Sequence, residues 1–143
     1  MNFKRLEEIV IWKNAVSLDK KMVSAFFPLL IENGEFEILK QMVRSSGSIA
    51  DNIAEGHGRG GNREFLQFLS IARGSAYELR SQLYRCSYRK IDHEILKELN
   101  SDTKALISKI DNLISHLRAS SRKGQKFDAI EKKSPTTASK QKG

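Results

Sequence analysis

NIAEGHGRGGNREFLQFLSIARGSAYELRSQL, residues 52–83, holds the end of one helix, a glycine-rich link and most of a second helix. Four of the six residues from Gly56 to Gly61 are glycine. After them Phe65, Leu69, Ala72, Ala76, Leu79, Leu83 and Cys86 recur at alternating steps of four and three. Such spacing keeps returning to one side of an α-helix and leaves a single apolar stripe. Phe68 and Ile71 broaden that face. Asn62 is a candidate N-cap, and Glu64 in the first turn suits the positive end of the helix dipole. Gly56 predicts the end of the preceding helix, since glycine enters left-handed backbone without a Cβ penalty. The stretch carries four arginines and three glutamates, and no recognisable catalytic set.

Working outward, the same arithmetic finds three more helices. Upstream, Phe36, Leu39, Val43, Ser46, Ala50 and Ile53 alternate by three and four, with Met42 and Ile49 beside them. Small residues at Ser46 and Ala50 allow a neighbouring helix to come close. Earlier still, Ile11, Ala15, Leu18, Met22, Ala25 and Leu29 form a stripe widened by Trp12, Val16 and Phe26. Pro28 predicts a kink or an end there, and Asn33-Gly34 a turn. Downstream, Asp92 is a candidate N-cap for Leu96, Leu99, Thr103, Leu106, Ile110, Leu113 and Leu117, with Ile95, Ile107 and Ile114 alongside. No segment alternates with the period of two that a half-buried strand needs. Helices of about 22–28 residues are about 33–42 Å long, and short links make them antiparallel neighbours. The expectation is an all-α, antiparallel up-down-up-down four-helix bundle over residues 1–118. Its sustained seven-residue period implies shallow left-handed crossings.

From Ala119 the composition changes to Lys, Ser, Thr, Gln and Gly, with Phe127 and Ile130 the only large apolar residues. Residues 119–143 cannot bury enough surface to order themselves and are predicted to be a disordered basic tail. The chain has 143 residues and a net charge of +8. Residues 57–90 contain seven basic and two acidic groups, and residues 119–143 the same numbers. Positive charge is therefore concentrated on one loop-helix unit and on the tail, a distribution suited to a polyanion. No apolar run reaches the ~20 residues needed to span a bilayer, which predicts no membrane partner. Acidic residues at the start of the chain disfavour a signal peptide, so a cytoplasmic location is expected. The single cysteine, Cys86, excludes an intrachain disulfide and falls on a core position.

The phrases IWKNA, NIAEGHGR and EFLQFLSIARGSAYELRSQL together resemble one family, the small bundle proteins encoded by intervening sequences within bacterial 23S ribosomal RNA genes. The matching residues are Asn52–Gly56, Gly58-Arg59, Glu64-Phe65, Phe68-Leu69, Ile71-Ala72, Gly74-Ser75, Glu78-Leu79 and Gln82-Leu83. The resemblance covers about residues 3–118, and its one visible departure is Ala50, where the family often has proline. It implies a four-helix bundle assembled as a homopentamer, an association with RNA or a nucleic-acid-processing protein, and no catalysis. The tail has no counterpart in it.

Candidate sites carry two readings each. Arg59, Arg63, Arg73, Arg80, Arg85 and Arg89 are the candidate nucleic-acid contacts. Arg73 and Arg80, seven apart, share a helix face and could track a phosphate backbone, or pair with acids of a neighbouring subunit. Arg85 and Arg89 extend the patch or solvate the helix end. The loop Gly56–Gly61 precedes a helix N-terminus that could hold phosphate, but follows a helix rather than a strand, which favours a tight turn. Asn52, Glu55, Glu64, Glu78 and Gln82 lie beside the core stripes. Interhelical hydrogen bonding that fixes register is favoured for them over acid/base work. His57, His93 and His116 share no metal-ligand spacing, so no metal and no cofactor are expected. Trp12 and Phe65 are read as core anchors. The functional expectation is a non-enzymatic homo-oligomer that associates with RNA or other nucleic acid through the loop-helix surface. Its alternative is a protein–protein assembly module with no nucleic-acid role.

Overall fold

A computed structural model describes the backbone of residues 5–142 and the side chains of residues 5–122 other than Glu7. After a short 3-10 turn, Leu6–Glu8, come α1 (Val10–Lys21), a π-helical segment (Met22–Phe26) and α2 (Phe27–Glu32), which run on as one rod. Three further helices follow: α3 (Phe36–Gly58), α4 (Asn62–Cys86) and α5 (His93–Lys142). Every regular element among the described residues is helical, as the spacing predicts. The side chains of residues 123–143 lie outside the described residues, and the expected basic tail falls largely on them.

The first rod differs from its predicted register in its second half. Ile11, Ala15, Leu18 and Met22 are buried as expected, but Ala25 is exposed and Phe26 is fully buried in its place. Leu30, not Leu29, continues the stripe. The cause is the π turn, in which the Phe27 N–H bonds to the Met22 carbonyl five residues back. One extra residue per turn rotates everything after it by one position. Pro28 neither ends the helix nor breaks the rod. It stands in the first turn of α2, where a missing N–H costs least.

The α3 register is also shifted. Phe36 and Val43 are exposed, and Leu39 is half-buried, while Ile38, Met42, Ser45, Ile49 and Gly56 join Ser46, Ala50 and Ile53 in the interior. Serine and glycine in the true row made it look interrupted. Both small residues sit where helices meet. Ser45 donates its buried hydroxyl to the Gln41 carbonyl (3.1 Å), and Ser46 donates to Asp19 Oδ1 of α1 (2.7 Å), which ties the first rod to α3. The stripes of α4 and α5 lie as predicted: all seven residues from Phe65 to Cys86 and all seven from Leu96 to Leu117 are buried. Thr103 satisfies its hydroxyl on the Leu99 carbonyl at 2.7 Å. Asp92 caps α5 by accepting the Glu94 N–H at 2.9 Å. At α4 the cap position belongs to Gly61, and Asn62 is the first helical residue.

Neighbouring rods run in opposite directions. Along α3 and α4, Glu35 meets Arg89, Gln41 meets Arg85, and Ser48 meets Ser75. Between α4 and α5, Arg73 meets Asp111, and between α1 and α5, Lys21 meets Asp102. Each helix thus packs on its sequence neighbours and the first rod closes on the last. Gly56 does not end α3, which continues to Gly58. The left-handed residue is Gly60, at φ +87°. Gly56 has a different reason to be glycine. A Cβ there would lie 2.6 Å from Phe68 Cβ and 3.1 Å from Phe65 Cδ1. Phe68 Cβ is rooted on the α4 backbone and cannot swing aside. Gly56→Ala gains up to ~1 kcal/mol of helix propensity but overpacks the α3–α4 contact at ~1–3 kcal/mol. A net loss of stability is expected in chemical denaturation; a stabilised variant would contradict the close approach.

Candidate functional site

α4 has a buried stripe flanked by two polar edges, one turned to α3 and the other to α5. The six arginines do not form one row along it. Arg59 and Arg63 stand at the α3–α4 turn. Arg59 bonds Glu55 Oε1 one turn back (3.1 Å), with its guanidinium 5.2 Å from the Phe68 ring centroid. Arg63 is exposed and meets no carboxylate among the described residues. Arg85 and Arg89 lean to α3: Arg85 donates to Gln41 Oε1 (3.2 Å), and Arg89 to Glu35 Oε2 (3.2 Å) and to the Arg85 carbonyl. Arg73 and Arg80 lean to α5. Arg73 donates to Asp111, and both guanidiniums lie against the Tyr77 ring, at 4.8 and 5.7 Å from its centroid. Arg80 meets no carboxylate among the described residues. The acids facing Arg59, Arg73 and Arg89 belong to this same chain.

The link between α3 and α4 is only Arg59–Gly61, because Gly56 and Gly58 are part of α3. Gly60 donates to the His57 carbonyl (3.2 Å), and Phe65 donates to the Gly61 carbonyl (3.0 Å), which closes a tight turn.

The family model for the 23S rRNA-intervening sequence protein matches residues 7–112, which take in the first rod, α3, α4 and most of the buried length of α5. The chain belongs to that family. A comparison with curated proteins finds no match. A crystal structure of a protein of unknown function from the S23 ribosomal protein family of Bacteroides thetaiotaomicron has the same fold, with a TM-score of 0.68 and 23% identity. It aligns with 73% of this chain and 98% of its own.

On the α3 side of α4 the motif residues form a polar seam. Ser48 and Ser75 share a hydrogen bond of 2.8 Å across the two helices. Asn52 donates to both the Ser48 carbonyl (2.8 Å) and its hydroxyl (2.9 Å). Gln82 is 3% exposed and donates to Glu78 at 3.3 Å, while its Oε1 has no partner among the described residues. Glu64 is exposed in the first turn of α4. Glu55 pairs with Arg59, and Glu78 stands roughly 13 Å away along the helix axes by residue rise. The two carboxylates are not brought together, so this seam holds no acid/base pair. Of its bonds, Ser48–Ser75 crosses between the two helices, while those of Asn52, Gln82 and Glu55 join residues four apart.

The groups that sequence reasoning passed over lie elsewhere. Of the three tyrosines of the chain, Tyr77 and Tyr84 are on α4 and Tyr88 is in the turn that follows it, and all three are exposed. Their spacing of seven and four, off the apolar stripe, was a visible signal. Between α1 and α5, Lys21 bonds Asp102 (2.7 Å) and Glu98, and these hydrogen bonds raise its ammonium pKa. A cleft of about 290 Å³ lies beside it, lined in part by Asn14 and Lys109. Cys86 is fully buried with its Sγ 3.8 Å from Met42 Sδ, and burial pushes the thiol up to about 11. That is the environment of an inert core thiol. Among the described residues no cluster of three metal-ligating side chains occurs, and no helix is long and apolar enough to cross a membrane.

Proposed function

We propose that this protein is a non-enzymatic, self-associating bundle that binds RNA or other nucleic acid electrostatically through the outer surface of α4 and the turn before it. The observation that carries the reading is the state of Arg63 and Arg80: both reach the surface and neither meets a carboxylate among the described residues. A cation of this kind loses no ion pair when it takes a phosphate, and binding releases counterions from the nucleic acid. Arg59, Arg73 and Arg89 already have carboxylate partners and add less.

The alternative, an assembly module alone, draws on a separate observation. Phe36, Val43 and Ile71 are 60%, 50% and 48% exposed on α3 and α4, the residues of a surface that a second copy could cover. The double variant Arg63→Glu/Arg80→Glu separates the readings. Affinity for structured RNA at low salt should fall by about tenfold or more, with the mass by light scattering unchanged, and wild-type affinity should drop as salt rises. Unchanged RNA affinity together with dissociation of the assembly would favour the alternative instead.

A further inference from the structure

The geometry points to the outer groove between α4 and α5 as a binding strip for single-stranded nucleic acid, with unpaired bases stacked on Tyr77, Tyr84 and Tyr88. The inference rests on the nucleic-acid reading above and narrows it to a form of the ligand and a surface. Tyr84 and Tyr88 are 73% and 68% exposed, and their rings meet edge to face with centroids 6.3 Å apart. Each is a large apolar face left in water, Tyr84 on a helix whose core stripe is complete and Tyr88 in the turn after it. Cations are interleaved with them. Arg73 and Arg80 lie against Tyr77; Arg89, 5.3 Å from the Tyr88 ring centroid, leans to α3 and marks the end of the strip.

The facing rail on α5 has the same character. Lys97, Lys104, Asp111 and Arg118 follow one another at seven-residue steps and so share a face. That face is the one turned to α4, because Asp111 bonds Arg73 and Lys97 lines the same cleft as Tyr84. The cleft is about 310 Å³ and also includes His93 and Asn100. Of the charges on the two rails, Asp111 is the one acid, and Arg73 already neutralises it. From Arg73 to Tyr84 the strip is about 16 Å long, with Tyr88 just beyond its end.

Basic side chains alone would serve a duplex, which offers phosphates and keeps its base faces stacked. Exposed rings between the cations add something only if the bases are free to leave their own stack. A protein partner would fit the tyrosines and arginines but not the lysines, which are depleted at protein interfaces. The sequence-tolerant combination of aromatic platforms and a basic track belongs to single strands.

The test uses the full chain and two triple variants, tyrosine to alanine and tyrosine to phenylalanine at 77, 84 and 88. A fluorescein-labelled 12-nucleotide oligouridylate and an RNA hairpin stem of matched charge are titrated by anisotropy at low salt. The alanine triple should lose about 100-fold in affinity for the single strand, from roughly fivefold per ring. The phenylalanine triple should keep it, and hairpin binding should change by less than about threefold in both variants. A 2-aminopurine placed in the strand should be quenched by the wild-type protein. Single-strand affinity unaltered in the alanine triple overturns the inference and leaves the nucleic-acid reading standing. So does wild-type protein that binds the stem but not the strand. A fall in molecular mass of the alanine triple by light scattering, with circular dichroism unchanged, overturns it in favour of a contact between copies. Wild-type protein that binds neither probe removes both readings.

Discussion

Phe26→Ala should destabilise the protein by about 3–5 kcal/mol, the range for emptying a fully buried phenylalanine site. For a chain of this size that lowers the melting temperature by on the order of 10 °C. Phe26 has no exposed surface, and its ring packs beside Phe27 with centroids 6.5 Å apart. Both rings lie at the π turn, where the rod changes phase. In the uninterrupted α-helical register, position 26 would lie beside the stripe and Ala25 would be its centre. The variant therefore tests the π turn as well as the core. Val23→Ala in the same segment serves as the control, because Val23 is 56% exposed and its truncation should stay within about 0.5 kcal/mol. Equal melting temperatures for the two variants would mean that Phe26 is not in the core, against the register that the π turn sets.

Residues 62–117 show when helix spacing can be trusted. In α4 and α5 every position of the predicted stripe is an apolar residue, alanine or a back-bonded threonine, and that stripe is buried, with Gln82 buried beside it. In α3 the true row contains Ser45, whose buried hydroxyl bonds back to the Gln41 carbonyl, and Gly56, which lets α4 come close. A hydrophobicity count scores those positions as gaps and prefers the row through Phe36 and Val43. The first rod fails for a backbone reason. Pro28 signals trouble with the helix, but the response, a widened turn five residues long, is not encoded in the period of the side chains. Small residues and π turns are thus the two places where period arithmetic and packing separate.

Charge counting marks residues 57–90 as the basic stretch of the chain but says nothing of how its side chains are arranged. It could not tell which guanidiniums already face carboxylates, since Asp111 and Glu35 come from distant parts of the sequence. Asn52, Glu55, Glu64, Glu78 and Gln82 are expected to bond between helices, but the bonds of Asn52 and of the Gln82–Glu78 pair stay within α3 and α4, and it is Ser48–Ser75 that crosses. The tyrosines escaped because a search for a core removes aromatics that do not fit the stripe. Off-stripe aromatics on a basic helix are the residues to ask about, since burial does not explain them.

Leu79→Ala carries the second large expected effect, a loss of about 2–5 kcal/mol in denaturant unfolding with the slope unchanged. Leu79 has no exposed surface and sits midway along α4, the helix that touches both α3 and α5. Ala72 and Ala76, the two stripe residues before it, are already small and fully buried. A third alanine would leave a run of stripe without a large side chain, and the void could close only if α3 or α5 moved inward. α3 is held off by other contacts: Gly56 against Phe68 at one end, and Met42 against Cys86 at the other. Collapse from that side is therefore blocked, which keeps the expected cost above the lower end of that range. Ile71→Ala on the same helix gives the comparison, because Ile71 is 48% exposed and should change stability by about 0.5 kcal/mol at most. If the two substitutions cost the same, the seam of α4 does not face the centre of the bundle, and the placement of Arg73, Arg80 and the tyrosines on its outer edge fails with it.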